Sequence, residues 1–192
     1  MPKPSLAIET LSICAGCEIA VLDLHDALPG VLGAVDLKYA QVLMDPKQPP
    51  EGVTVGFVSG AVRNEEQVEQ LHRMRDRCAV LVAFGSCAAF GGVPGLGNLH
   101  TNEELLKEAY IDAKSNVNPT KTLPSQVVPA MLPEVHAISD FVKVDAVLPG
   151  CPPPPKLIVE LVGALLAGKP FKLPAKTVCD QCPMKREEKN VS

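Results

Sequence analysis

Two strand-length, largely apolar runs, residues 53–58 and 79–84, flank a stretch in which Val68, Leu71 and Met74 recur every three residues. A six-residue apolar run without alternation predicts a strand covered on both faces, and the period of three predicts an amphipathic helix between them. A crossover of helical length joins parallel strands, so this one segment already dictates an α/β unit. The same grammar extends both ways. Residues 5–13 read as a strand, and 18–28 as a helix with Ile19, Leu22 and the Ala27/Leu28 pair inward, stopped by Pro29-Gly30. Residues 35–43 and 145–148 read as further strands, and 102–113 and 155–167 as helices. Asn64 precedes the helix expected over 65–77 and suits its N-cap. Residues 46–52 read as a proline-rich loop and 114–134, with several prolines and no period, as an extended surface excursion. The fold class is therefore α/β, a mostly parallel sheet with helices on both faces.

Composition narrows what such a fold can do. With 192 residues, 46% apolar and 21% charged, the chain is core-forming and not disordered. The aromatic fraction is 4% with no Trp, and the net charge is −4, which argues against nucleic-acid partners. The N-terminus shows no basic-then-apolar leader and no twin arginine. The longest apolar segment, residues 157–168, contains Glu160 and is too short to span a bilayer. A cytoplasmic protein with reduced thiols and no membrane span is expected, and its apolar share hints at a buried partner interface.

In that compartment the seven cysteines point to metal or redox chemistry rather than disulfides, for which an odd count is unsuited. Cys14 and Cys17 follow the first strand, Cys87 the strand over 79–84, and Cys151 the strand over 145–148. In a parallel sheet all those strand ends lie along one edge, where ligands bind. Four cysteines can thus converge although Cys17, Cys87 and Cys151 stand 70 and 64 residues apart. Each lies near a glycine (Gly16, Gly85, Gly150), which permits tight turns and frees backbone amides to face sulfur. Four thiolates suit tetrahedral zinc or a cubane iron–sulfur cluster. One local pair plus two distant singles favours the cluster, because structural zinc sites generally use two local pairs. Cys78 precedes a strand at the opposite end and reads as packing, while Cys179 and Cys182 form a second pair of open role.

The motifs Cys14-Ala15-Gly16-Cys17, the ten residues from Gly85 to Pro94, and Pro149-Gly150-Cys151-Pro152-Pro153 resemble the small, electron-transferring subunit of nickel–iron hydrogenases. Residues 21–25 and 179–183 look most like its cytoplasmic methyl-viologen-reducing, F420-non-reducing branch. The resemblance implies a flavodoxin-like domain over residues 1–170, with a proximal [4Fe-4S] cluster on Cys14, Cys17, Cys87 and Cys151. Residues 171–192 would then form a C-terminal extension carrying the second cysteine pair. It also implies a large partner subunit holding the nickel–iron centre, and further partners of heterodisulfide reductase, flavin-containing bifurcating or diaphorase type. On this reading the chain has no catalytic residue of its own and passes electrons to or from dihydrogen chemistry next door. Longer relatives continue into a cysteine-rich region, whereas this chain stops ten residues after Cys182, which suggests a short single-cluster type or a truncated one. The Cys-x-x-Cys pair departs from the adjacent cysteines of the homologous respiratory complex I subunit and argues against quinone reduction. A non-catalytic iron–sulfur sensor or scaffold, or a structural zinc domain, are the alternatives.

Other residues carry smaller expectations. Glu18 could face the cluster, as a proton relay or a tuner of potential, but reads first as a first-turn glutamate favouring the helix dipole. His25 reads as a packing histidine, and His72, His100 and His136 show no ligand spacing to any cysteine. The Gly-rich segment 91–97 and the proline run 152–155 flank ligand loops and are candidate interface surfaces. Segment 91–97 lacks the lysine of a phosphate loop.

Overall fold

The computed structural model describes residues 3–175 together with Asp180 and Pro183. Five strands form one sheet: β1 (Ser5–Thr10), β2 (Asp36–Ala40), β3 (Val53–Ser59), β5 (Cys78–Phe84) and β7 (Ala146–Leu148). Two more, β4 (Val62–Asn64) and β6 (Met131–His136), pair separately and antiparallel. The main sheet runs β2-β1-β3-β5-β7 and every neighbouring pair in it is parallel. Counted within that sheet alone this is the flavodoxin-like order, with the switch point between β1 and β3.

The continuous apolar runs have the consequence expected of them. Ile8, Phe57, Val82, Phe84 and Leu148 face one layer, where they meet Ala20 of helix α1 (Gly16–Leu22) and Ile158 and Leu161 of α6 (Pro155–Leu166). Ala7, Val58, Leu81 and Ala83 face the other, against Leu71 and Met74 of α3 (Glu65–Arg77). Alternate residues of each strand therefore serve opposite cores, and neither face is left to water. The Asn64 side chain accepts from the Gln67 amide at 2.9 Å and starts α3, as its sequence position predicts. Asp145 accepts from the Leu81 amide (2.9 Å) and from Arg75 (2.7 Å), which fastens the short edge strand β7 at its start.

Four expectations change. The helix expected over 18–28 ends at Leu22, and α2 (Leu28–Ala34) starts where a stop was expected. Pro29 sits in the first turn of α2, where its missing N–H has no intrahelical partner to lose. The inward face of α1 is Cys17, Glu18 and Ala20, while Ile19 and Leu22 point outward. Residues 114–134 are not wholly excursion, because Met131–His136 returns to pair with β4. The helix expected over 102–113 divides into α5 (Asn102–Lys107), with a Thr101/Glu104 capping box, and a π-helical turn over Glu108–Asp112. No helix among the described residues is long and apolar enough to cross a membrane.

Candidate metal centre

The carboxyl ends of β1, β5 and β7 carry the four cysteines singled out by position. Cys14 and Cys17 follow β1, with Cys17 inside the first turn of α1. Cys87 lies in α4 (Ser86–Phe90), directly after β5, and Cys151 follows β7. Hydrogen bonds join the loops after β5 and β7. Gly85 N–H donates to Leu148 O and Ser86 N–H to Gly150 O, each at 2.8 Å, and Gly150 N–H returns to Ser86 Oγ at 3.0 Å. On the other side Ser12 and Ala61 exchange amide bonds of 3.0 and 3.1 Å, which seats the Cys14 loop on the turn after β3.

All four sulfur-bearing residues line one recess of about 70 Å³, together with Ile13, Gly16, Gly150 and Pro152. The Cys151–Pro152 peptide is cis. Cys17 is buried, Cys87 half-buried, Cys14 and Cys151 exposed, and none is in a disulfide. Two glycines make the approach of the loops possible. Gly85 has φ +92°, and a Cβ there would collide with Cys17 Sγ. Gly92 has φ +53°, and a Cβ would sit 2.8 Å from the Cys87 backbone and 2.9 Å from its Sγ.

The recess is hostile to thiolates until a cation enters. Burial pushes the Cys17 thiol up to about 12, and Glu18 and the other three cysteines add to the rise. Burial also raises Cys87, against the pull of the Val93 amide directed at its sulfur. Protonated thiols in an apolar recess must release protons when metal binds, and the metal's charge supplies the compensation. Among the described residues no three His, Cys, Asp or Glu side chains close on a single-ion site. Four thiols are a donor set that tetrahedral zinc or a cubane iron–sulfur cluster could use.

Other candidates fall elsewhere. Cys78 begins β5 at the opposite end and is 6% exposed, its Sγ 3.7 Å from Met74 Sδ. His25 is exposed with φ +49°, so it is no packing residue. His136 bonds Asp140 at 3.2 Å and stacks edge-on against Phe141. Cys179 and Cys182 lie outside the described residues. The segment 91–97 is in part a 3₁₀ helix, Pro94–Leu99, that leaves Leu96 and Leu99 exposed.

The sequence profile of the family described as NADH ubiquinone oxidoreductase, 20 Kd subunit, matches residues 14–165. The chain belongs to this family. It is 45% identical to a subunit of the F420-non-reducing hydrogenase vhu of Methanocaldococcus jannaschii over 91% of this chain and 60% of that protein. It is 33% identical to the delta subunit of the NAD-reducing hydrogenase HoxS of Cupriavidus necator over 88% of this chain and 83% of that protein. The crystal structure of an NAD+-reducing [NiFe]-hydrogenase in the H2-reduced state superposes with TM-score 0.84 at 32% identity, covering 91% of this chain and 97% of that one. The chain spans about 60% of the length of the F420-non-reducing relatives it matches.

In this 20 Kd-subunit family member the residue whose placement most departs from its sequence reading is Glu18. It is 3% exposed, not a solvated first-turn glutamate. Its Oε1 accepts from Thr10 Oγ1 at 3.2 Å and is bonded by the Ser59 hydroxyl, which also lies 3.3 Å from Glu9 O. Its Oε2 is buried without a hydrogen-bond partner. Ser59-Gly60 does end a strand at the same edge as the cysteine loops, and that was the available signal for its place near the site.

Proposed function

We propose that this chain is the electron-transferring small subunit of a cytoplasmic nickel–iron hydrogenase, and that Cys14, Cys17, Cys87 and Cys151 hold one [4Fe-4S] cluster. The observation that carries this reading is the convergence of four thiols, from three separated loops, on one recess at the carboxyl edge of the sheet. The names of the relatives, hydrogenase subunits of both the F420-non-reducing and NAD-reducing types, support the same reading.

The bound cluster supplies reversible one-electron storage. The chain's own residues supply the rest. The four cysteines hold iron, the Val93 amide directs its dipole at the Cys87 sulfur, and the clasp between the Gly85 and Gly150 loops fixes Cys87 against Cys151. The chain after Cys87 exposes apolar side chains: Phe90 is 70% and Leu99 78% exposed, with Val93 and Leu96 between them in sequence. Such a strip beside a buried-thiol recess fits a large partner subunit that excludes water and sets the potential through the dry surround. That partner holds the nickel–iron centre, where dihydrogen yields two protons and two electrons. This chain accepts the electrons singly and passes them to a further redox subunit of heterodisulfide reductase, flavin-containing or diaphorase type, or returns them for H2 formation.

Metal and sulfide analysis of the affinity-purified complex tests the proposal. Iron at about four per copy of this chain after subtraction of partner clusters, a nickel-bearing second chain and H2-dependent dye reduction are expected. A preparation with zinc and no acid-labile sulfide would sink it. A loaded cluster without nickel or H2-dependent reduction would leave the sensor or scaffold role in its place.

A further inference from the structure

Glu18 stands next to Cys17 in the first turn of α1, and its side chain is buried. A first-turn glutamate gains from the helix dipole while fully solvated, so burial is unnecessary for that purpose. Here the carboxylate is held by hydroxyls from two neighbouring strands, Thr10 of β1 and Ser59 of β3, both on Oε1. Oε2 is buried and unpartnered, an unfavourable state for such a group. No lysine, arginine or histidine among the described residues forms an ion pair with it. The arrangement fixes the carboxyl group beside Cys17, with no cation paired to it among the described residues.

We propose that Glu18, fixed by Thr10 and Ser59, is a charge-setting residue that lowers the reduction potential of the cluster; this rests on the cluster-binding reading above. Reduction adds one electron and therefore one negative charge to the cluster, with no bond made or broken. A carboxylate beside Cys17, in a site of low effective dielectric, repels that added charge and disfavours the reduced state. The two hydroxyls moderate the field because each places a partial positive charge on Oε1. Removing the carboxylate's charge raises the potential, and removing a hydroxyl lowers it.

The test is a redox titration of the purified hydrogenase complex monitored by electron paramagnetic resonance, following the signal that the Cys87→Ser variant lacks. Iron and sulfide are measured on every sample. Glu18→Gln, which keeps the shape and an Oε1 acceptor, is expected to shift the midpoint positive. The expected shift corresponds to about a tenfold change in the oxidised-to-reduced ratio at fixed potential, or ~59 mV for one electron. Glu18→Asp keeps the charge and is expected to move the midpoint by less than half as much. Ser59→Ala is expected to move it negative by a few-fold in the same ratio. A Glu18→Gln midpoint equal to wild type at full iron content overturns the proposal. Should Glu18→Gln fail to load iron, Ser59→Ala decides, and an unchanged or positive midpoint overturns it. Absence of iron and sulfide from the wild-type complex overturns the cluster reading itself, a failure distinct from an unmoved potential.

Discussion

A cysteine sulfur rests over a glycine at both ends of the sheet, and the two ends have opposite characters. At the amino edge Cys78 Sγ lies over Gly56, where a Cβ would collide with it, and Met74 closes the other side at 3.7 Å. At the carboxyl edge Cys17 Sγ lies over Gly85, again where a Cβ would collide, but three more cysteines open onto the same recess. Burial raises both thiols, Cys78 to about 11 and Cys17 to about 12. Close packing on glycine and a raised thiol are therefore generic to a buried cysteine and say nothing about chemistry. Company distinguishes the ends: one sulfur among apolar neighbours fills space, whereas four around one recess form a donor set.

The strongest way to break that contrast is to remove one sulfur from each end. Cys87→Ser or Cys151→Ser is expected to abolish most cluster iron and sulfide in the complex, since a cubane cannot be saturated by three thiolates. Cys78→Ser is expected to leave iron content within about 10–20% of wild type while costing about 1–3 kcal/mol of stability. Loss of iron in Cys78→Ser alone would show that the two ends had been assigned the wrong way round.

The glycines offer a second, smaller test. Gly85→Ala must accept φ +92° and a clash with Cys17 Sγ, so cluster content is expected to fall severalfold. Gly56→Ala meets Cys78 Sγ and, at 2.8 Å, Met74 Cε. Overpacking of this kind costs about 1–3 kcal/mol, which lowers Tm by roughly 2–12 °C in a chain of this size and should leave iron untouched. Iron analysis and thermal melts on the two variants separate the effects. Equal iron loss in both would erase the distinction between site and packing.

Why the sheet and its cysteine edge were legible before any coordinates follows from particular residues. Strands 53–58 and 79–84 are apolar apart from Thr54 because both faces are covered over most of their length, and so strong a pattern survives without tertiary information. Parallel connectivity then carries Cys14, Cys17, Cys87 and Cys151 to one edge as a topological necessity. The face of α1 was not legible. Ile19 and Leu22 are the natural inward choice by hydropathy, yet they point outward and Glu18 points in. Tertiary context overrides the pattern here, since the hydroxyls of Thr10 and Ser59, 8 and 41 residues from Glu18, supply the bonds that make an inward carboxylate possible. The strand Met131–His136 was hidden for a related reason. It pairs with the three-residue β4, and the bond partners of so short a ribbon leave no periodicity to read.

A pH dependence sharpens the contrast further. The Cys78 thiol is held well above its ordinary value near 9.0, first by burial and then by Glu9, with Arg75 opposing. The unfolded chain releases that proton near pH 9, whereas the folded chain keeps it until about 11. Between those values the unfolded state binds fewer protons, so this thiol's contribution makes stability fall as pH rises through the window. The full effect is on the order of 2–3 kcal/mol. Cys78→Ser has no thiol to titrate, so its stability deficit against wild type is expected to be largest near pH 8 and to shrink steadily towards pH 10.5. Paired melts of the wild-type and Cys78→Ser complexes across that range report it, and all other titrating groups cancel in the difference. A deficit that stays constant would mean that Cys78 ionises in the folded protein as freely as in the unfolded chain. The amino edge would then be wetter than its packing against Met74 and Gly56 implies.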